Sequence, residues 1–560
     1  MSSLGHQLAT SVLVVGAGGS GLRAAIEVAE AGVSVVVVAK SMTENAPPAI
    51  GSAGPVWPAA GSEPDEVWQR HAAETLREGR LLADPRTARA VARYAERGGQ
   101  DTGRQRPRPE HGGQGPRRSG HAHDGTACAG ELGGPGVHRA LRIRAAELGI
   151  PVLTGVYVTR LLVDDGTVFG AYGFDLVDGS RYLTHADAVI LATGGHTRIW
   201  RRTSSRRDES GGDALRLATE AGARLRDPEL VQFHPLGLVG PEHAAGLLLD
   251  EAARGEGGVL LNNLGERFMT RYEPEQLERC GQDRVAAAAC TEIRAGRGTR
   301  SGGVWLDLSH LPRETVLTRL PQMHQSLLEL QTLDITRDPV EVTPTAQYSL
   351  GGVRVRSEDH GTEVTGLYVI GEAAGAPDGA QRLRENALLE LLVHGRIAGR
   401  AAAEYSARLT VQQRSPAAVR AAETDVTRLL AADGDQNVRA LLRSVRHLMT
   451  EHAGVVRDEA GLAAGLDGLE GIEARTAYAG IHIDIGGLQD LAYAYDLRST
   501  LLAARATLEC ARERRETLGG RHHRSDRPDR PDAGSGAGLG PGPGVSLVWS
   551  PATGVLREPR

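Results

Sequence analysis

Six residues near the amino terminus, Gly16-Ala17-Gly18-Gly19-Ser20-Gly21, constrain the fold more than any other stretch of the chain. A short apolar run, Ser11–Val15, precedes them. A helical apolar pattern spans Ser20–Ala31, and a second apolar run covers Val33–Val38. Strand, glycine turn, helix and strand in that order predict the opening unit of a doubly wound α/β sheet. The glycines let backbone approach a pyrophosphate, whose charge meets the helix N-terminus. Gly16 to Gly21 are therefore candidate dinucleotide contacts. The acidic ribose ligand common in such units is absent, and Lys40-Ser41 follows the second run instead. Lys40 is the only lysine in the chain.

At 560 residues the chain is long enough for two to four domains. The reading places a first FAD-binding part at 1–235, a capping part at 236–350, a second FAD-binding part at 351–410 and a helical domain at 415–532. A Gly/Pro-rich linker with a terminal strand follows at 533–560, the strand itself being Val545–Trp549. The expected fold class is α/β: a Rossmann-like domain with an inserted α+β cap and a C-terminal helical bundle. Helices are expected at 64–97, from Val137 onward, and from about Asn386 to Ser406. Alternation from Val152 to Leu191 predicts a β-meander. Residues 98–136 hold no aromatic and only one large aliphatic, Leu132, and are expected to be irregular.

A formal net charge of −6 argues against a nucleic-acid partner. Cys128, Cys280, Cys290 and Cys510 form no C-x-x-C pair, so neither a zinc nor an iron–sulfur site is expected. Metal ligands are expected nowhere. No apolar run approaches the ~18 residues of a membrane span, and residues 1–10 leave no room for a leader. The expected location is the cytoplasm, or the inner face of the plasma membrane by way of a partner.

Longer matches run through the chain. Ala192-Thr193-Gly194-Gly195 is similar to a second flavin strand, which makes Thr193 and Gly194 candidate contacts. Gly211-Gly212-Asp213-Ala214 resembles a T-G-D-G loop whose Asp213 would contact the flavin. Gly371-Glu372 resembles a G-E pair whose carboxylate holds a cofactor hydroxyl, and Ala387-Leu388 matches an S-L step. Arg515-Glu516 and His523-Arg524-Ser525-Asp526-Arg527-Pro528 are similar to an R-E-S-R-G-A-H-x-R-x-D-x-P segment. Jointly these identify the chain as resembling the flavoprotein subunits of succinate dehydrogenase and fumarate reductase, with L-aspartate oxidases as relatives. That resemblance implies an FAD oxidoreductase exchanging hydride with a C4 dicarboxylate. Electrons would pass to a separate iron–sulfur subunit or a diffusible acceptor. Ala46-Pro47-Pro48 stands where the dehydrogenases have S-H-T, which implies non-covalent FAD.

The resemblance also implies the substrate residues. His234, in Gln232-Phe233-His234-Pro235, and Arg382, in Gly379-Ala380-Gln381-Arg382-Leu383, would bind carboxylate. Glu251 and Arg254, in Asp250-Glu251-Ala252-Ala253-Arg254-Gly255-Glu256-Gly257-Gly258, match a proton relay. Their spacing puts both on one face of a helical turn.

Departures from the family pattern cluster here. Gln282, in Gln282-Asp283-Arg284-Val285, replaces the arginine that delivers the proton, and Arg284 is expected to point elsewhere. Gln347 replaces a histidine, Asp378 another, and Arg384-Glu385 replace two small residues. Three alternatives follow: an L-aspartate oxidase-like enzyme with oxygen as acceptor, a non-catalytic degenerate paralogue that keeps the fold, or a changed, less charged acid as substrate.

Overall fold

The computed structural model of the chain describes residues 5–42, 56–58, 64–79, 82–101, 126–128, 134–375, 379–383, 386–483, 488–518, 523–526 and 545–559. Ala46-Pro47-Pro48, Asp378, Arg384-Glu385, Arg527-Pro528 and the linker core at 534–544 lie outside the described residues.

The glycine turn joins β1 (His6–Val15) to α1 (Gly19–Glu30), which leads into β2 (Val35–Ala39). Then come β3 (Val152–Thr154), β4 (Val156–Asp164), β5 (Thr167–Asp175) and β6 (Arg181–Leu191). β1 pairs in parallel with β2 on one side and β6 on the other, while β4, β5 and β6 form the antiparallel meander. The sheet order is β3-β2-β1-β6-β5-β4. Val12, Leu13 and Val14 are wholly buried because both sheet faces are covered, so the run reads as continuous rather than alternating. β1 begins five residues earlier than its apolar run. Its first half pairs with β6 from His6 onward while staying partly exposed.

After α2 (Asp213–Ala221), a second sheet is built from β7 (Val231–Leu238), β8 (Val259–Leu261), β9 (Val304–Asp307) and β10 (Val340–Ser349). Its order is β7-β10-β9-β8, all antiparallel. The strand β7 runs through position 235, where the sequence reading divides two domains. Helix α3 (Gln282–Glu292) packs on this sheet. The chain returns to the first sheet with β11 (Leu367–Val369), parallel to β6, and α4 (Asn386–Arg408) packs on α1.

Four helices make the C-terminal bundle: α5 (Pro416–Leu430), α6 (Val438–His452), α7 (Glu459–Thr476) and α8 (Gln489–Glu513). Three begin on side-chain caps, from Ser415, Asn437 and Asp458. The last strands, β12 (Val545–Ser550) and β13 (Gly554–Pro559), pair with each other, and β12 pairs back onto Leu225–Arg226. Arg514, fully buried, ties this region down: its Nη2 lies 2.7 Å from Asp227 Oδ1 and 2.5 Å from Glu229 Oε1. Asp227 in turn accepts from Ser546 Oγ and the Leu547 amide.

One expectation is corrected in part. Within 98–136, residues Thr126–Cys128 form a strand against Val56–Pro58. Backbone pairing with a distant segment supplies order that local composition lacks. Helices also enter the region from both sides, ending at Asp101 and starting at Gly134.

Candidate active site

A cavity of about 1010 Å³ opens above the carboxyl ends of the parallel strands, at the large end of the ~300–1,000 Å³ usual for small-molecule sites. Its wall includes Gly16, Ala17, Gly18, Gly19, Ser20, Lys40, Ser41, Thr193, Gly194, Asp213, Glu372, Ala387 and Leu388. Gly21 is set back from this wall: a Cβ there would overlap Gly16 O, so its role is close helix–turn packing. Gly16 has φ +114°, and a Cβ there would run into the Ala192 carbonyl. Gly18, by contrast, faces open space. The first turn of α1 carries no acidic residue, so its positive end remains available to an anion.

The cavity fits FAD. It has the volume, the glycine cradle and buried polar atoms lacking partners on its wall, Thr193 Oγ1 and Gln347 Oε1. Gly16→Ala should therefore lose FAD retention. The positive φ alone costs ~1–2 kcal/mol, and the clash is with backbone that has nowhere to go. The ratio of flavin to protein absorbance after gel filtration checks this.

Charged groups meet at one end of the cavity. Asp213 lines the cavity, but its carboxylate is engaged by Lys40 Nζ at 2.8 Å and Ser499 Oγ at 3.0 Å. Lys40 also reaches Asp496 at 3.0 Å, which accepts from Tyr157 Oη at 2.7 Å. Burial alone would lower the Lys40 pKa, but Asp213 and Asp496 outweigh it and the net shift is upward. Lys40 thus stays charged beside the cavity. At the other end, burial pushes Glu372 up to about 7, against the Ser349 amide that donates to its Oε1 at 2.9 Å.

A second cluster stands one strand away from this wall. His234 lies on β7 and Glu251 and Arg254 on the turn after it, all less than a tenth exposed. The Leu236 amide donates to His234 Nδ1 at 3.1 Å, so the neutral ring carries its proton on Nε2, 3.1 Å from Glu251 Oε1. Glu251 pairs closely with Arg254, which also donates to Cys280 O at 3.1 Å and to Glu278 O. Burial opposes ionisation of Glu251, but Arg254 and His234 overcome it and hold its carboxyl well below the ordinary value. Burial drives the Cys280 thiol up to about 12, which removes it as a nucleophile.

Arg382, 6% exposed, lies over the Tyr348 ring at 4.1 Å and donates to Gln232 Oε1 at 3.1 Å. Gln232 Nε2 donates in turn to Gln282 Oε1 at 3.1 Å. Tyr348 and Gln347 form part of the cavity wall, while His234, Glu251, Arg254 and Arg382 do not line it. Arg284 points away and pairs with Glu273 at 3.0 Å. Sequence reasoning missed Gln232, although two-residue alternation from His234 would place it on the same strand face. It also missed the loop 204–210, which borders the cavity.

Comparison with known proteins agrees with this architecture. A family model described as an FAD binding domain matches residues 11–388, and one described as fumarate reductase flavoprotein C-term matches 442–536. The succinate dehydrogenase flavoprotein subunit of Rickettsia bellii is 32% identical over 551 residues, covering 93% of this chain and 91% of that protein. The 8-methylmenaquinol:fumarate reductase flavoprotein subunit of Wolinella succinogenes is 33% identical over 551 residues, covering 93% and 86%. Mycobacterium smegmatis Sdh1, solved in complex with UQ1, superposes with a TM-score of 0.87 at 32% identity, covering 99% of this chain and 95% of that one. The shared extent, from the glycine cradle through the C-terminal bundle, places this chain in the succinate dehydrogenase/fumarate reductase flavoprotein family of FAD-dependent oxidoreductases.

Proposed function

We propose that the chain exchanges a hydride with a C4 dicarboxylate, using FAD held without a covalent bond. The observation that carries the reading is the link between two sites: Tyr348 borders the cofactor cavity on one side and supports Arg382 on the other. Bound FAD supplies the hydride acceptor or donor at its ring. Arg382 offers a fork of N–H donors to one substrate carboxylate. His234 can serve the other end, with Glu251 fixing its ring. Glu251 and Arg254 hold a proton path that starts at Glu251 Oε1, 3.1 Å from His234 Nε2. The partner this reading assigns is a separate iron–sulfur protein, and through it a membrane; among the described residues no helix is long and apolar enough to cross a membrane.

Gln282 favours a second reading, a paralogue that keeps FAD without turnover. Anaerobic titration separates the two. Under the first, succinate bleaches the flavin bands, or fumarate reoxidises the dithionite-reduced protein. A yellow protein inert to both acids sinks it and leaves the second. Acid precipitation should release all flavin into the supernatant; flavin that stays with the pellet overturns the non-covalent assignment.

A further inference from the structure

We infer that Gln232 is a positioning residue that sets the hydrogen-bond polarity of the substrate site, turning the Gln282 amide so that its N–H groups face the substrate and select a carboxylate oxygen there. The inference rests on the dicarboxylate reading above and deepens it.

Three side chains form a one-way chain. A guanidinium only donates, so the Gln232 atom that meets Arg382 Nη2 at 3.1 Å has to be the carbonyl oxygen. That places the Gln232 amide nitrogen at the opposite corner, where it donates to Gln282 Oε1 at 3.1 Å. Gln282 therefore spends its acceptor on Gln232. Its Nε2, with two hydrogens, makes no hydrogen bond to a described residue. Turning Gln282 over would set two N–H donors against each other. Gln232 is 2% exposed, so the polarity is not reset by bulk water. The donor-only nature of Arg382 is thus transmitted through two neutral amides to the position where the family has an arginine.

Gln282 in this orientation resembles that arginine in one respect and differs in another. It presents N–H groups to an anion, and so retains binding. It brings no charge and no transferable proton, so it does not deliver one. The expected ligand end is an acceptor, carboxylate rather than carboxamide.

The test compares fumarate with its monoamide, each titrated against the FAD-loaded protein and followed by the flavin difference spectrum. The wild type should prefer fumarate on the order of tenfold, the usual margin of a hydrogen bond to a charged acceptor over one to a neutral acceptor. Gln232→Met frees the Gln282 amide to rotate and should narrow the preference, leaving the part that Arg382 and His234 supply. In a Gln282→Leu background the same substitution should leave the preference unchanged. Gln232→Glu accepts from both neighbours, turns the Gln282 carbonyl outward and should favour the monoamide. An unchanged preference in Gln232→Met, or an equal shift with Gln282→Leu present, overturns the inference. A wild type that keeps FAD yet binds neither acid defeats the dicarboxylate reading itself, a distinct result.

Discussion

Gln282→Arg should raise turnover of succinate or fumarate by about 10²–10⁴-fold, the usual contribution of a positioned proton donor. The site is prepared for it. Gln282 opens helix α3 directly after Cys280 and Gly281, and Arg254 donates to the Cys280 carbonyl. A guanidinium at 282 would continue the line from Glu251 through Arg254 toward Arg382. Gln232 would have to yield, because its Nε2 now points at position 282 and would face another donor. The gain should therefore come with a lower thermal midpoint, since a further cation enters beside the buried guanidinium groups of Arg254 and Arg382. Steady-state reduction of a dye under argon measures the first effect and a thermal melt the second. If FAD is retained and turnover stays flat, then Gln282 is not what limits the chain, and Gln347 becomes the next position to restore.

The parts of this molecule that were legible beforehand are those written in local pattern. The glycine turn and the two runs around it are contiguous, and parallel strands buried on both faces betray themselves as unbroken apolar stretches. Val12 to Val15 and Val35 to Ala39 behave this way. The meander from β4 to β6 and the helical bundle follow for the same reason. What was not legible depends on chain segments meeting in space. Asp213 lines the cavity, and its ion pair with Lys40, 173 residues away in the chain, has no local signal. Arg515 was singled out near the C-terminus, whereas its neighbour Arg514 takes the buried ion-pair position between Asp227 and Glu229. The strand at Thr126–Cys128 exists through its distant partner Val56–Pro58, which no composition window around it contains. Gln232 escaped notice because an amide carries no motif of its own; its role comes from lying between a donor-only arginine and a second glutamine.

Glu251→Gln should be the most damaging single change to the substrate cluster. Glu251 and Arg254 are 7% and 6% exposed, and the carboxylate also faces His234 Nε2. Removing one partner of a buried pair leaves the other charge without compensation, which costs ~3–5 kcal/mol. Arg254 would then keep only neutral acceptors, the carbonyls of Glu278 and Cys280 and the new amide oxygen. The pH dependence has a definite sign. Because the folded state holds the Glu251 carboxyl below its ordinary value of 4.5, its contribution is fully present above that pH and is lost as pH falls below it. The wild type should therefore lose this part of its stability only on acidification past 4.5, while Glu251→Gln should lose it at every pH and show a shallower acid limb. Urea melts at pH 7 and at steps from pH 4.5 downward check both. Pairing Glu251→Leu with Arg254→Met should cost less than Glu251→Leu alone, since no charge is then left buried. Equal stability of wild type and Glu251→Gln at pH 7 would mean that water reaches Arg254 and that the pair is not a buried one.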